Sequence, residues 1–221
     1  MTEKRRASEI RQVELTDAAL RIIASKGIAS LSTRRLAEEV GLSTGAIFKH
    51  FPSLDALLEA LVARVEAVLD ATYPDPSLPP LERLERFIET RSSAVGQRLG
   101  ILRLVLSDQF MLALPAQGSQ RLGACVQKTR AFIIECVRAG QAAGEIRADL
   151  PAGPLAVLVM GTVQMLALAP SNPDRRIAEP RLIIETLLAL LRPLARPPER
   201  AETKPRGTPK TSGARTKRVK S

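Results

Sequence analysis

The chain of 221 residues is 45% hydrophobic, enough to bury a core of its own, which excludes an intrinsically disordered protein. Aromatic residues make up only 3% while Leu and Ala are abundant, a balance that favours helices over sheets and predicts an all-α fold. The formal charge of +10 is unevenly placed: residues 1–53 carry nine Lys or Arg against six acids, residues 54–195 carry fifteen of each sign, and residues 196–221 carry nine bases against Glu199 and Glu202. Charge suited to a polyanion therefore sits at both ends, and the middle is neutral.

In chain order, residues 1–8 form a polar arm containing Lys4, Arg5 and Arg6, read either as a solvated terminus or as a contact to phosphate or the minor groove. A first helix is predicted over 9–25, with Ile10, Leu15, Ala18, Ala19, Ile22 and Ile23 inward and Lys26-Gly27 ending it. It acts as a brace across the next two helices. Residues 31–51, LSTRRLAEEVGLSTGAIFKHF, read as two short helices joined by a tight turn. Ser32 caps the first, in which Leu36, Ala37 and Val40 recur at helical spacing, and Gly41 stands where a helix stops in a left-handed conformation. Ser43 caps the second, which places Ile47 and Phe51 on one face with Thr44 and Phe48 beside them. Gly45, Ala46, Lys49 and His50 face the other way. Small residues in a first turn with a cation further along let backbone N–H groups approach phosphates and base edges.

This segment resembles the helix-turn-helix of the TetR-type (tetracycline-repressor-like) transcriptional regulators. The resemblance extends back through ALRIIASKGIASLSTRRLA and forward through FPSLDALLEAL, about the first third of the chain. It implies a three-helix DNA-binding domain followed by a helical ligand-binding and dimerisation domain, about nine helices in all, divided as residues 1–53, 54–195 and a basic tail, 196–221. In the family's namesake, the Arg of the T-R-x-L-A pattern found here at Thr33 to Ala37 reads a base, so Arg34 is the candidate for bidentate bonding to guanine. The resemblance implies base-edge or thymine-methyl contacts for Thr44, Gly45 and Ala46, and phosphate contacts for Thr33, Lys49 and His50. Phe48 also falls at a phosphate position, but many relatives have Tyr there, and many have Lys where this chain has Leu54. Each lost bond costs about 1 kcal/mol of affinity, which the basic arm and tail are placed to offset.

Pro52 and Ser53 break the chain before a helix over Leu54–Asp70, whose Leu54, Leu57, Leu58, Leu61, Val65, Val68 and Leu69 follow amphipathic spacing. The resemblance implies that its tilt carries a ligand signal to the DNA-binding domain. Residues 73–80 hold four prolines and form a loop. A helix over 81–100 turns Leu84, Phe87, Ile88, Arg91 and Val95 to one side; a shorter apolar helix covers 101–112; residues 115–119 form a loop. A long helix over 120–143 turns Leu122, Val126, Phe132, Ile133, Cys136 and Val137 inward, and residues 144–154 make a turn.

The helix over 155–169 is apolar nearly all round, with Thr162 and Gln164 as its polar side chains. It falls short of the ~20 residues needed to cross a bilayer, so no membrane role is assigned. Residues 170–178 form a polar loop, and the last helix, 179–194, is again wider than a single apolar stripe. Two such helices are satisfied either by an unusually buried pair within the chain or by their copies in a second subunit, as a four-helix bundle; the resemblance favours the homodimer. From Arg196 the chain has almost nothing to bury and is expected to be disordered, either idle or adding non-specific DNA affinity by counterion release. Deleting residues 196–221 is then expected to weaken DNA binding across all sequences and to flatten its salt dependence, read from titrations at several salt concentrations.

Cys125 and Cys136 lie roughly 16 Å apart on one helix, too far to bond, and read as small apolar residues of a reducing compartment. The charged N-terminus lacks an apolar run, so a cytoplasmic, nucleoid-associated protein is expected. A single His, two distant Cys and no glycine-rich phosphate loop offer neither a metal site nor a cofactor site and argue against an enzyme. The expected function is a ligand-responsive repressor that binds a palindromic operator on double-stranded DNA as a homodimer. Candidate residues for the small-molecule pocket are Phe87, Arg91, Phe110, Met160, Gln164 and Met165, although residue by residue a plain place in the core is the simpler reading. The alternative is an effector-independent, chromosome-associated or architectural DNA-binding protein of the same fold.

Overall fold

The computed structural model describes residues 2–98, 101, 112, 114–169, 174 and 178–194, with side chains from residue 5 onward. Its described residues form eight α-helices: α1 (Thr2–Lys26), α2 (Thr33–Val40), α3 (Thr44–Phe48), α4 (Leu54–Asp70), α5 (Pro80–Gly96), α6 (Ala116–Ala142), α7 (Ala152–Ala167) and α8 (Pro180–Leu191). A 3-10 turn, Ile28–Ser30, follows α1. The helix expected over 101–112 falls almost wholly outside the described residues, as do most of the loop 170–178 and the tail 196–221.

Local chemistry sets most helix boundaries. Ser32 Oγ accepts the Arg35 N–H at 3.2 Å, Ser43 Oγ the Ala46 N–H at 3.2 Å and Ser53 Oγ the Ala56 N–H at 3.1 Å, so three serines open three successive helices. Gly41 ends α2 at φ 66°, ψ 33°, a left-handed conformation that costs a residue with a Cβ far more than glycine. The Leu42 N–H then returns to the Ala37 carbonyl at 2.9 Å. Pro79 and Pro80 open α5, where the missing N–H of Pro80 is no loss.

Several boundaries differ from expectation: α3 ends at Phe48, α5 ends at Gly96, α7 begins at Ala152 within the expected turn, and α8 ends at Leu191. Helix α1 begins at Thr2 rather than Glu9, because no Gly or Pro interrupts residues 2–9 and Arg5 pairs with Glu9 one turn on (3.0 Å). The arm is therefore helical. Helix α6 begins at Ala116, so residues 116–119 are not a loop; Pro115 precedes its first turn, and Gly118 lets α6 approach Val62 and Glu59 of α4 closely. Among side chains expected inward, Ile10 is more than half exposed because it lies a turn before the first core residue, Leu15, and Val126 is partly exposed.

The core has two clusters. The first joins Leu15, Ala19, Ile22 and Ile23 of α1, Leu36 and Ala37 of α2, Ile47 and Phe51 around α3, and seven residues of α4 from Leu57 to Leu69. It also takes in Val95, Leu122 and Ala167, so α4 is packed by both halves of the chain. The second cluster joins Leu84, Phe87 and Ile88 of α5 with Ile133, Cys136 and Val137 of α6, Val159 and Val163 of α7, and Ile184, Leu187, Leu188 and Leu191 of α8.

Ion pairs hold α4 from two sides. Arg64 grips Asp17 of α1 with two bonds, 2.9 and 3.0 Å, and Arg121 of α6 bonds both Glu66 (Nε to Oε1, 3.0 Å) and Glu59 (3.2 Å). Among the described residues no helix is long and apolar enough to cross a membrane.

Candidate nucleic-acid interface and interior cavity

The exposed edge of α2 and α3 is built by the burial of their other edge. Ile47 and Phe51 are buried in the first cluster, and Gln12 of α1 donates to the His50 carbonyl at 3.2 Å, so α3 is pinned from beneath and at its C-terminal end. Thr44, Gly45 and Lys49 are consequently exposed, Ala46 and His50 half-buried. A Cβ built on Gly45 would meet only Ser43 Oγ, at 3.9 Å. Nothing inside the protein requires glycine there, although glycine in a helix costs about 0.5–1 kcal/mol relative to alanine. The space it leaves is on the outside.

Arg34 is exposed in the first turn of α2 and pairs with Glu38 at 3.0 Å. Such an exposed pair is worth at most about 1 kcal/mol, so it breaks readily for a better acceptor. Thr33 is half-buried beside it. Arg35, also exposed, escapes sequence reasoning, although its place next to Arg34 is an available signal. Phe48 is 48% exposed and Leu54 is 41% exposed, leaving apolar surface where a Tyr hydroxyl and a Lys would be polar. Arg5 and Arg6 are exposed on the first turns of α1, and the side chain of Lys4 lies outside the described residues.

A second feature lies between α4, α5, α6 and α7: a cavity of about 170 Å³. Arg91 and Val95 of α5, Cys125, Val126 and Thr129 of α6, Met160, Val163, Gln164 and Ala167 of α7, Leu69 of α4 and Ile101 line it. Of the six residues proposed from sequence, Arg91, Met160 and Gln164 are therefore at this cavity. Phe87 is buried beneath the Arg91 guanidinium, 4.8 Å from ring centroid to carbon, and is not a lining residue. Met165 is 64% exposed on the outer face of α7, and Phe110 lies outside the described residues. Sequence inspection misses Cys125 and Thr129, one helical turn apart on α6, because α6 is polar and apolar on several faces and its register against α5 is set only by tertiary packing.

Arg91 is 4% exposed. Its Nε–H donates to Thr72 Oγ1 (2.6 Å), and its two terminal nitrogens donate to the Leu69 carbonyl (3.0 Å) and to Thr129 Oγ1 (3.4 Å). The rings of Tyr73 and Phe87 lie 5.0 and 4.8 Å from the guanidinium carbon. Burial holds its pKa below the ordinary arginine value, opposed by Tyr73 and Asp70. Both cysteines are free, and burial raises both thiol pKa values, that of Cys136 to about 11. Among the described residues no cluster of His, Cys, Asp and Glu could hold a metal ion.

Comparison with known proteins divides along the same line. Residues 15–61 match the model of bacterial regulatory proteins of the tetR family. Nucleoid occlusion factor SlmA of Mannheimia succiniciproducens is 40% identical over 67 residues, 30% of this chain and 31% of that one. The match thus spans less than a third of the curated relative's length. Solved structures resemble the chain over most of its length. The ketosteroid transcriptional regulator KstR2 of Mycobacterium tuberculosis superposes with a TM-score of 0.70 at 19% identity, covering 82% of this chain and 95% of that one. AibR, in complex with isovaleryl coenzyme A and operator DNA, superposes with a TM-score of 0.68 at 18% identity, covering 83% and 98%. At such identities the likeness is one of fold. Over residues 15–61 the chain thus matches the tetR family of bacterial regulatory proteins, and the all-helical fold beyond them is the fold of these solved structures.

Proposed function

We propose that the protein is a homodimeric transcriptional regulator that binds a palindromic operator through α2 and α3 of each subunit and responds to a small molecule in the interior cavity. The observation that carries this reading is the pairing of a buried Ile47–Phe51 edge with an exposed Thr44-Gly45 edge on one short helix behind Gly41. In it, residues 1–53 hold the DNA, with Arg34, Thr44, Gly45 and Ala46 at base edges and Thr33, Lys49 and His50 at phosphates. Residues 54–195 hold the effector and the partner subunit. The effector must prefer the form that cannot bind DNA, because a ligand with equal affinity for both forms shifts nothing.

Dimerisation is supported by a largely apolar stripe left exposed among the described residues. On α7 and its C-cap Leu168, the residues Leu158 (57% exposed), Gly161, Met165 and Leu168 recur at spacings of three and four, and on α8 Leu182, Thr186 and Leu190 (62% exposed) recur at spacings of four. A Cβ on Gly161 would meet nothing within 4 Å, so a facing helix has room to approach. The AibR structure with both coenzyme A ester and operator DNA is a precedent for joining the two activities on this fold.

Genome-wide mapping of bound DNA tests the reading: a few promoter-proximal palindromes are expected. On such a site Arg34→Ala is expected to lose about 1–3 kcal/mol and to relax specificity at one base pair of each half-site, with unchanged melting temperature. Unaltered sequence preference in a binding-site selection would remove Arg34 from base recognition. The similarity to a nucleoid occlusion factor favours a second reading, a chromosome-associated protein acting through many dispersed sites. Dispersed sites with no relation to promoters would establish it instead.

A further inference from the structure

The buried Arg91 has no acidic partner among the described residues. Asp70, the carboxylate near enough to influence it, is bonded to Lys128 at 2.6 Å, and Glu66 is held by Arg121. The cation is kept inside by three neutral acceptors and two aromatic faces. A guanidinium has five N–H donors; three are used, which leaves one on each terminal nitrogen. The Gln164 amide, across the cavity on α7, makes no hydrogen bond among the described residues. Around these polar groups the wall is Leu69, Val95, Val163 and Met160.

We propose that this cavity binds a compact apolar carboxylate, its anion seated on Arg91 and its hydrocarbon body against Val95, Met160 and Val163. The proposal rests on the reading of the cavity as the effector site and names the chemical class of the effector. A carboxylate is the anion whose two oxygens take one N–H from each terminal nitrogen. One part of the usual penalty for a buried ion pair, removal of the cation from water, has already been met on folding; the ligand's own desolvation remains. Burial also keeps the Cys125 thiol neutral, so among the described lining residues no anion competes with the ligand. Size sets the class: a cavity of about 150 Å³ accepts benzene, and this one, at about 170 Å³, accepts a single ring or a short chain.

The same contact explains how the ligand would reach the DNA-binding half. Arg91 holds the Leu69 carbonyl and Thr72 Oγ1, at and just beyond the last turn of α4. A carboxylate that draws the guanidinium toward the cavity weakens that hold. Helix α4 is packed against α1 in the first cluster and tied to it through Arg64 and Asp17, so displacement of its end reaches α2 and α3.

The test is calorimetric titration of the full chain with hexanoate, octanoate, benzoate and phenylacetate, each beside its uncharged primary amide. At least one acid is expected to bind, with its amide about tenfold or more weaker. Arg91→Gln is expected to abolish that preference, and Gln164→Leu to weaken the acid while leaving the preference in place. No binding of any acid at millimolar concentration, equal binding of acid and amide, or a preference that survives Arg91→Gln would each overturn the proposal. Should Arg91→Gln fail to fold, the comparison of acid and amide on the unaltered chain decides. Fluorescence anisotropy on mapped operator DNA separates the two claims: an acid that binds on Arg91 yet leaves operator affinity unchanged sustains the site and defeats its role as the effector site.

Discussion

Leu158→Arg is expected to convert a dimer into monomers and to lower operator affinity by about 10²- to 10⁴-fold. Leu158 is 57% exposed in the single subunit, at the head of the stripe that continues through Gly161, Met165 and Leu168. In a four-helix bundle formed by α7 and α8 of two subunits, a guanidinium there would be buried twice, once from each subunit, among apolar side chains. The subunit itself keeps its core, since the inward side chains of α7 are Leu155, Ala156, Val159, Val163 and Leu166. The loss of affinity has a geometric cause: two linked helix-turn-helix units make the second half-site contact intramolecular, and a monomer forfeits that effective concentration. Sedimentation velocity gives the mass of the variant and circular dichroism its helicity. A Leu158→Arg protein that sediments as a dimer would move the interface elsewhere.

The parts of this molecule that are legible in the sequence are those whose causes are local. Serine caps, a glycine with positive φ and apolar spacing depend on residues within a few positions of one another, and they place the starts of α2, α3 and α4 as found, and α4 whole at Leu54–Asp70. The start of α1 is harder to place, because the charges of the arm suggest a solvated terminus, whereas the absence of a breaker and the Arg5–Glu9 pair let the helix continue to Thr2. Likewise, Pro115 reads as one end of a loop and in fact opens α6. The excess of apolar residues on α7 and α8 is visible in composition; which of them face outward depends on the register of α7 against α5 and α6. The cavity is hardest to read. Arg91 stands out as a charged residue on an apolar face, but its acceptors Leu69, Thr72 and Thr129 come from two other elements that no sequence spacing relates to α5.

Ile47→Ala is expected to destabilise the N-terminal half by about 2–5 kcal/mol and to abolish operator binding, whereas Arg34→Ala is expected to relax recognition at one base pair of each half-site without changing stability. Helix α3 spans only five residues, Thr44–Phe48, far below the ~12–15 at which an isolated helix becomes even marginal in water. Its shape is therefore held by what surrounds it: the Ser43 cap, the Phe51 N–H to Ile47 carbonyl bond at 2.9 Å, Gln12 on the His50 carbonyl and the fully buried Ile47 side chain. Ile47 is the one side chain of α3 itself that lies in the core. Truncating it leaves a cavity beneath α3 and frees the Thr44-Gly45 edge to shift, and a displacement of an ångström would be enough to misalign donors with base edges. A loss of that size is a large part of the ~5–15 kcal/mol that typically holds a domain together. Urea denaturation measures the first effect and anisotropy on operator DNA the second, both read below the variant's melting temperature. Undiminished operator affinity in a variant destabilised to that extent would show that α3 is positioned by its caps alone, and the buried edge would then have no part in presenting the exposed one.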